Sequence, residues 1–421
     1  MRCPSLKELP LPPEGKSGWP WTIESYTQSI DTSDVSEWPK VSVVTPSYNQ
    51  AEFIEETIRS ILLQGYPNLE YLVVDGGSND GTLDIILKYA PWIFYWVSEP
   101  DEGQSDALNK GIKRASGKYF GWLNSDDTYQ PNAIINAVTY LLRNPSTDVV
   151  YSDCRIIDVN SQVIGKSEAC EFKLKNYLFR DFISQQTAFI NFAALNKIGG
   201  LDTNLHYQMD HDLFLRLGNE FKLRRITGTW GNFRVTNNTK SVAGASGFCK
   251  ENVAVLKRFF ANPSLPDKIR ELEYSAYARA YLHGACREYG ANQIEEAQNH
   301  LRDSIKLDPE WWQDTDRAEH LLTGWASYPV VGDPLNYITN VYNNLPEYAN
   351  NLKRIRHKAI ARAAIWLSFS SYNKGELEFV RRAIWKAVRN DPSWALNRGV
   401  MSIWIESIFG KRLVDLFRKL V

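Results

Sequence analysis

The sequence predicts an α/β domain on a mainly parallel central sheet, followed by an all-α region of repeat-like helices. Three observations carry this. Short β-branched runs alternate with helical-period segments between residues 40 and 241, the signature of βαβ units. After Lys250 the strands stop and long helical periodicity takes over. At 421 residues the chain exceeds what one hydrophobic core usually organises, so two domains are expected. The boundaries read as an extended arm over 1–39, the α/β domain over 40–245 and a helical domain over 250–421.

The arm carries Pro10, Pro12, Pro13, Pro20 and Pro39, which favour extended chain over a packed element. Its Trp19, Trp21 and Trp38 predict that it docks on something. VSVVTPSYN is the first strand, and Ile54, Ile58, Ile61 and Leu62 then repeat at helical spacing up to Gly65. LEYLVVDGG is the second strand, a helix follows over about 82–89, and FYWVSEP is the third strand. Ser105 to Ala115 reads as a helix and YFGWLNSDD as a fourth strand ending in acidic residues. In open α/β sheets ligands bind at the carboxyl ends of strands. Here 46–49, 75–77, 99–102 and 124–127 all fall at such ends.

In the helical half, the segment ending IEEAQNHLRDSIKLDPEWW lines up with the one ending LEFVRRAIWKAVRNDPSWA, placing Pro309 against Pro392 and Trp311 against Trp394. Each copy resembles a tetratricopeptide unit, with Gly290 and Gly375 near the interhelical turns. Such repeats suit recruitment of a protein partner. The last segment sets Val400, Trp404, Ile408 and Phe409 along one side, then Leu413, Leu416, Phe417 and Leu420 beyond Gly410, flanked by Lys411, Arg412, Arg418 and Lys419. Two readings stand: a cap packed on the repeats, or a basic amphipathic helix lying on a membrane surface.

Composition narrows the function. A formal net charge of −1 supplies no footprint for nucleic acid. The cysteines, Cys3, Cys154, Cys170, Cys249 and Cys286, are widely spaced without a C-x-x-C pair, which fits a reducing cytoplasm better than a disulfide framework. No apolar run reaches membrane-spanning length. A cytoplasmic protein, or one peripheral to the inner face of a membrane, is expected.

The strongest chemical feature is WLNSDD: a buried strand delivering Asp126 and Asp127 to a crevice offers hard oxygen ligands for Mg2+ or Mn2+. The structural alternative is that Ser125, Asp126 and Asp127 cap a helix opening near Pro131. Asp75 is placed to accept hydrogen bonds from a base or ribose, and Gly76 allows close backbone approach. Ser78, Asn79 and Asp80 read as caps of the next helix. The G-x-G-x-x-G cradle of a dinucleotide fold is absent, which argues against a dehydrogenase. In YQMDHDLFLRL an apolar face of Leu213, Phe214 and Leu217 leaves Asp210 and Asp212 near a helix N-terminus, which favours their charged form. Asp210 reads either as a cap or as a general base for an acceptor hydroxyl. His206 and His211, five residues apart, fall on different faces and read as bystanders.

The order of these motifs resembles the family 2 glycosyltransferases over about residues 40–241. VSVVTPSYNQAEFIEETIRSIL, LEYLVVDGGSNDGT, EPDEGQSDALNKGI, GWLNSDD and SQQTAFINFAALNKIGGLD followed by MDHDLFLRL match in sequence. The resemblance implies a GT-A fold and transfer with inversion from a nucleotide-sugar donor, a UDP-sugar above all, to a saccharide or lipid-linked acceptor. It implies that Pro46, Tyr48 and Asp75 hold the base and ribose, beside Gly76 where the backbone approaches the donor, and that Gln104, Asp106 and Asn109 form a donor-side wall. Asn124, Asp126 and Asp127 lie at the metal-binding element, with Asp126 and Asp127 as ligands, and Asp210 is the base. Three positions depart from the pattern: Asn124 for a carboxylate, Met209 for a glutamate and Thr236 for a histidine, which thins the metal ligand set. They motivate a rival, an inactive nucleotide-sugar-binding scaffold that recruits partners through its helices. A third, a nucleotidyltransferase, lacks a basic Gly-rich loop.

Overall fold

The computed structural model describes residues 2–25, 37–236, 245–328 and 331–410. The chain divides into two compact units, Met1–Ala243 with Ala254–Arg270, and Gly244–Val253 with Glu271–Val421.

The first unit holds β1 (Val41–Ser47), α1 (Ile54–Leu62), β2 (Leu69–Asp75), α2 (Thr82–Tyr89), β3 (Tyr95–Ser98), α3 (Gln104–Arg114) and β4 (Tyr119–Trp122). These are followed by β5 (Thr128–Tyr129), α4 (Ala133–Arg143), β6 (Val149–Ile157), β7 (Val163–Ser167) and α5 (Leu174–Tyr177). The domain closes with β8 (Phe189–Asn191), α6 (Phe192–Ile198), α7 (Met209–Glu220) and β9 (Leu223–Arg234). Among the described residues the sheet runs β3-β2-β1-β4-β8-β6-β9-β5, with β7 paired to β6. Strands β3, β2, β1 and β4 are mutually parallel. The sheet then turns mixed, since β8 is antiparallel to both β4 and β6 while β9 runs parallel to β6. A mainly parallel sheet therefore describes its first half. Strands β1 and β2 are buried along their whole length, which is why both are rich in Val and Leu and lack a regular apolar/polar alternation, their few polar side chains, such as Ser42 and Glu70, being buried as well.

One cation fastens the arm. Arg59 on α1 is buried. Its guanidinium donates to the carbonyls of Pro10 (2.8 Å), Pro20 (3.2 Å) and Trp21 (3.0 Å) and to the Tyr89 hydroxyl (3.0 Å). The Trp21 ring lies against the same guanidinium, 5.4 Å from its central carbon, and the Trp19 indole donates to the carbonyl of Tyr129 at 2.8 Å. Prolines supply carbonyls whose own chain forms no ladder, and a planar five-donor group can collect several of them at once. The predicted docking of Trp19 and Trp21 is thereby accounted for.

The second unit is helical. Helices Glu273–Gly290 and Ile294–Leu307 form one hairpin, followed by the short turn Trp311–Gln313. Asn350–Asn373 and Leu377–Asn390 form another, followed by Pro392–Leu396. Leu282, Cys286, Leu301, Leu322, Ile338, Ala364 and Ile384 belong to one core. In helix Arg398–Phe409, Val400 is buried and Trp404 packs on that core, while Ile408 and Phe409 are exposed. The basic stretch from Lys411, with Arg412, Leu413, Leu416, Phe417, Arg418, Lys419 and Leu420, lies outside the described residues. Among the described residues no helix is long and apolar enough to cross a membrane. The five cysteines are free, and only Cys170 is exposed.

Replacing Arg59 with Ala strands three carbonyls and leaves a cavity, so the first unit should lose about 3 kcal/mol. Urea unfolding followed by Trp fluorescence, with limited proteolysis within residues 2–25, tests this. An unchanged midpoint and an unchanged cleavage rate would show that the arm is not held by Arg59.

Candidate active site at the strand ends

The chain passes from β1 outward to β2 and β3, then returns to place β4 on the other side of β1. That reversal opens a crevice beyond the carboxyl ends of β1 and β4. Pro46 is buried inside β1 opposite Val74, whereas Tyr48, just past the strand, is 62% exposed. Asn49 adopts φ 51°. Its backbone N–H donates to Ser78 Oγ (2.7 Å), and its side-chain oxygen accepts from Asn79 N (3.0 Å). The loops after β1 and β2 are thus joined.

Asp75 is fully buried. Its carboxylate accepts from Gly77 N (3.2 Å), Ser78 N (2.9 Å), Ser78 Oγ (2.5 Å) and Ser98 Oγ (2.6 Å). Four donors occupy nearly the full acceptor capacity of a carboxylate, so Asp75 shapes the turn and ties it to β3. Asp80 likewise accepts from Thr82 N (3.0 Å) and Ala51 N (3.0 Å). Gly76 lies close to Asp101: a Cβ there would stand 2.8 Å from Asp101 Oδ2 and would have to displace that carboxylate. Sequence reasoning passed over Asp101, although it lies in the quoted EPDEG segment. Its Oδ1 accepts from Gly103 N at 2.9 Å, and Oδ2 accepts no hydrogen bond among the described residues. Burial, reinforced by Asp106 and Asp75, pushes its carboxyl above the usual range.

Helix α3 opens beside this turn and is stitched to the loop that precedes α7. Asn109 uses both ends of its amide on the Leu201 backbone, donating to O (2.8 Å) and accepting from N (3.0 Å). Ser105 donates to the Leu205 carbonyl (3.1 Å), with Met209 Sδ at 3.3 Å. A Cβ on Gly103 would stand 3.7 Å from His206 Nδ1. Asp106 pairs with Lys110 (3.4 Å), which also meets Glu99 (3.0 Å). Gln104 donates to Asn124 Oδ1 at 2.7 Å, carrying the connection on to β4.

Strand β4 ends at Trp122, so Asn124 to Asp127 form a turn beyond it. The turn does not cap the next helix: α4 begins at Ala133 after Asn132, with no side-chain cap. Asn124 Oδ1 accepts from both Gln104 and the Trp122 indole (2.7 Å). Asp127 is fully buried, with Oδ1 accepting from Arg234 N (2.9 Å) and Oδ2 near Asn124 Nδ2 (3.4 Å). Burial, then the charge of Asp126, drives its carboxyl well above the usual range. Asp126 is partly exposed, and its carbonyl accepts from Arg234 Nε at 2.8 Å. Arg234 itself is 0% exposed and pairs with Glu56 at 3.0 Å.

Asp210 stands in the first turn of α7, where the sequence predicts a stabilised charge. The structure reverses this expectation. Burial, then the neighbouring Asp181, raises its carboxyl to about 7 despite a hydrogen bond from His211 N (2.8 Å). Asp181 was not found from sequence; its Oδ1 accepts from the Tyr177 hydroxyl (2.9 Å) and Ile183 N (3.1 Å). His211 packs edge-on against the Tyr177 ring at 5.1 Å, with Nδ1 against Gln208 Oε1 (3.1 Å). Burial lowers its pKa to about 4, leaving a neutral packing group at pH 7. Asp212 is taken by Arg216 (2.8 Å) and by Arg258.

Among the described residues no three His, Cys, Asp or Glu side chains group as a metal site. Asp127 is held inside by Arg234 and Asn124, and the Asn124 oxygen already accepts two hydrogen bonds. Asp126 is the other carboxylate of the turn and is partly exposed. Such a set fits an ion that takes one carboxylate and completes its shell with phosphate oxygens and water, as Mg2+ commonly does.

The family model Glycosyl transferase family 2 matches residues 42–197. An uncharacterized glycosyltransferase of Rickettsia prowazekii (strain Madrid E) is 38% identical over 205 residues, 47% of this chain and 62% of its own length. An uncharacterized glycosyltransferase of Mycobacterium tuberculosis (strain H37Rv) is 32% identical over 183 residues, 42% of this chain and 68% of its own. The chain thus spans under two thirds of the Rickettsia relative. The solved structure of S. aureus TarS 1–349 with UDP-GlcNAc is 18% identical with a TM-score of 0.47, covering 88% of this chain and 92% of that one. On the family model and the match along the mycobacterial relative, this chain belongs to glycosyl transferase family 2.

Proposed function

We propose that this chain transfers a sugar, with inversion, from a nucleoside-diphosphate sugar to a hydroxyl of a saccharide or lipid-linked acceptor. One observation carries the reading. The loops after β1, β2, β3 and β4 and the loop before α7 are bonded into one rim, through Asn49–Ser78, Asp75–Glu99, Gln104–Asn124 and Ser105–Leu205. Asp101 and Asp126 lie in those loops, and Asp210 is in the first turn of α7, the helix that the last of them leads into.

Tyr48 offers an exposed ring for a base to stack on, and Asp101 a carboxylate oxygen open to a base N–H or ribose hydroxyl. Asp75, Gly76 and Asn109 serve donor binding through the shape of the rim. Asp126 is the carboxylate that would hold Mg2+ or Mn2+ with the donor's diphosphate, and such an ion supplies positive charge against the leaving group. Asp127 keeps the turn in place. In the transfer, the acceptor oxygen forms a bond to the anomeric carbon as the bond from that carbon to the diphosphate oxygen breaks. The hydroxyl proton goes to Asp210 and the nucleoside diphosphate leaves. A base near pKa 7 matches the working pH, where the ionised fraction and the proton affinity are both useful. A uridine carrier is the first donor to test, and the helical hairpins, tetratricopeptide-like in sequence, are a surface for a protein partner.

Thermal-shift screening of nucleoside diphosphates and nucleotide sugars, with and without Mn2+, should find one carrier that stabilises the chain. Asp101→Asn should weaken that binding about tenfold. With the donor so identified, Asp210→Asn should bind it normally and transfer about 10²- to 10⁴-fold more slowly. If no nucleotide binds, the transferase reading fails; if a nucleotide binds but wild-type and Asp210→Asn rates are equal, the assigned base is wrong.

The raised pKa of Asp210 also sets a sign for stability. Its folded value of about 7 exceeds that of an unfolded aspartate. The folded state therefore holds the proton more tightly, and the group's contribution, full below pH 4, is lost as pH rises through 7. Asp210→Asn should raise the unfolding midpoint more at pH 8 than at pH 5, by about 2–4 °C. Equal increments at both pH values would remove the elevated pKa.

A further inference from the structure

The internal repeat places two arginines in equivalent positions with different partners. AYARA at 276–280 and AIARA at 359–363 stand at the offset that separates Trp311 from Trp394, so Arg279 corresponds to Arg362. Arg362 is matched to a carboxylate: Nε donates to Glu319 Oε1 at 3.0 Å and Nη2 donates to Oε2. Among the described residues Arg279 has no such partner. Its guanidinium carbon stacks 3.8 Å from the centroid of Trp311, and its Nη1, although buried, makes no hydrogen bond to any described residue.

The stacked indole repeats the deficit. Trp311 Nε1 is also buried without an acceptor among the described residues, whereas adjacent Trp312 donates to Ser304 Oγ at 3.2 Å. Arg317 brings a second guanidinium to within 5.4 Å of the Trp311 ring. Nearby Asp308 turns its carboxylate to the Trp311 backbone N–H (3.3 Å). Burial, then the charge of Arg317, pulls the Arg279 pKa down to about 10 against Asp308. Two unmet buried donors and an excess of positive charge around one ring are costly unless an acceptor of opposite charge completes them.

We propose that Arg279, Trp311 and Arg317 form an oxyanion-binding site in the helical unit, which takes a phosphate, sulfate or carboxylate group where the equivalent Arg362 has Glu319. The site is independent of the transferase reading, since none of its residues belongs to the strand-end rim. Arg279 and Trp311 supply the buried donors, and exposed Arg317 supplies charge at the solvent edge.

The test uses the full chain, with calorimetry and thermal shift in sodium phosphate, sulfate or glucuronate against sodium chloride of equal ionic strength. At least one oxyanion should stabilise wild-type protein beyond chloride, and which ones do so separates phosphate-like from carboxylate ligands. Arg279→Met should abolish the response while unfolding no earlier than wild type in chloride, because it removes an uncompensated buried charge. Trp311→Phe keeps the ring for Arg279 to stack on but removes its N–H, and should weaken binding about three- to tenfold. Asp210→Asn should respond as wild type does. No preference over chloride, or a response that survives Arg279→Met, overturns the proposal; should Arg279→Met fail to fold, undiminished binding by Trp311→Phe overturns it instead.

Discussion

The strand-end rim depends on one buried cation. Arg234, the last residue of β9, donates from its side chain to Glu56, to the carbonyls of Asp126 and Asp158, and to Ser161 Oγ. Its backbone N–H serves Asp127, and the ring of Phe53 lies 4.8 Å from its guanidinium carbon. Helix α1, the turn after β4 and the turn between β6 and β7 thus meet at one planar group. A buried guanidinium tolerates few arrangements, because each donor left over costs free energy. Its contribution to stability need not be large; its effect is to allow one geometry for the turn that carries Asp126.

That constraint explains which parts of the site were legible in the sequence. The parallel strands and α2 declared themselves because both are local patterns, apolar runs and helical spacing, that need no knowledge of distant residues. Asp75, Asp126 and Asp210 were located as acidic residues at element ends. What local pattern does not encode is which partner each side chain meets. Asn109 finds Leu201 across 92 residues and Arg234 finds Glu56 across 178, so the first read as a donor contact and the second was not noticed. Asp101 was missed for a related reason: its importance follows from lying against Gly76, a contact between two strand-end loops. The mixed half of the sheet was equally hidden, since β5 and β8 are only two and three residues long.

The same distinction separates carboxylates of similar sequence context. Asp75 and Asp127 follow buried strands, and the protein's own donors occupy both. Asp101 and Asp210 retain partial exposure with raised proton affinity. A helix N-terminus alone would have stabilised the Asp210 charge by a modest amount. Desolvation with Asp181 as a like-charged neighbour outweighs it, which is how a carboxylate comes to hold a proton near neutrality.

Charge balance then bears on the proposed chemistry. In the proposed transfer a nucleoside-diphosphate sugar would bring negative charge to strand-end loops that already carry Asp101 and Asp126. Among the described residues, two basic groups near those loops are engaged: Arg234 with Glu56 inside the fold, and Lys110 with Glu99 and Asp106. An acidic rim repels a bare diphosphate and welcomes one that carries a divalent cation, since a doubly charged ion between carboxylate and phosphate oxygens reverses the sign of the interaction. The replacement of a second carboxylate by Asn124 would trim the protein's share of the ligands while leaving that electrostatic logic intact. The amide at 124 serves instead to bind Gln104 and Trp122, linking the turn that would carry the cation to α3, the helix that is bonded to the loop before α7.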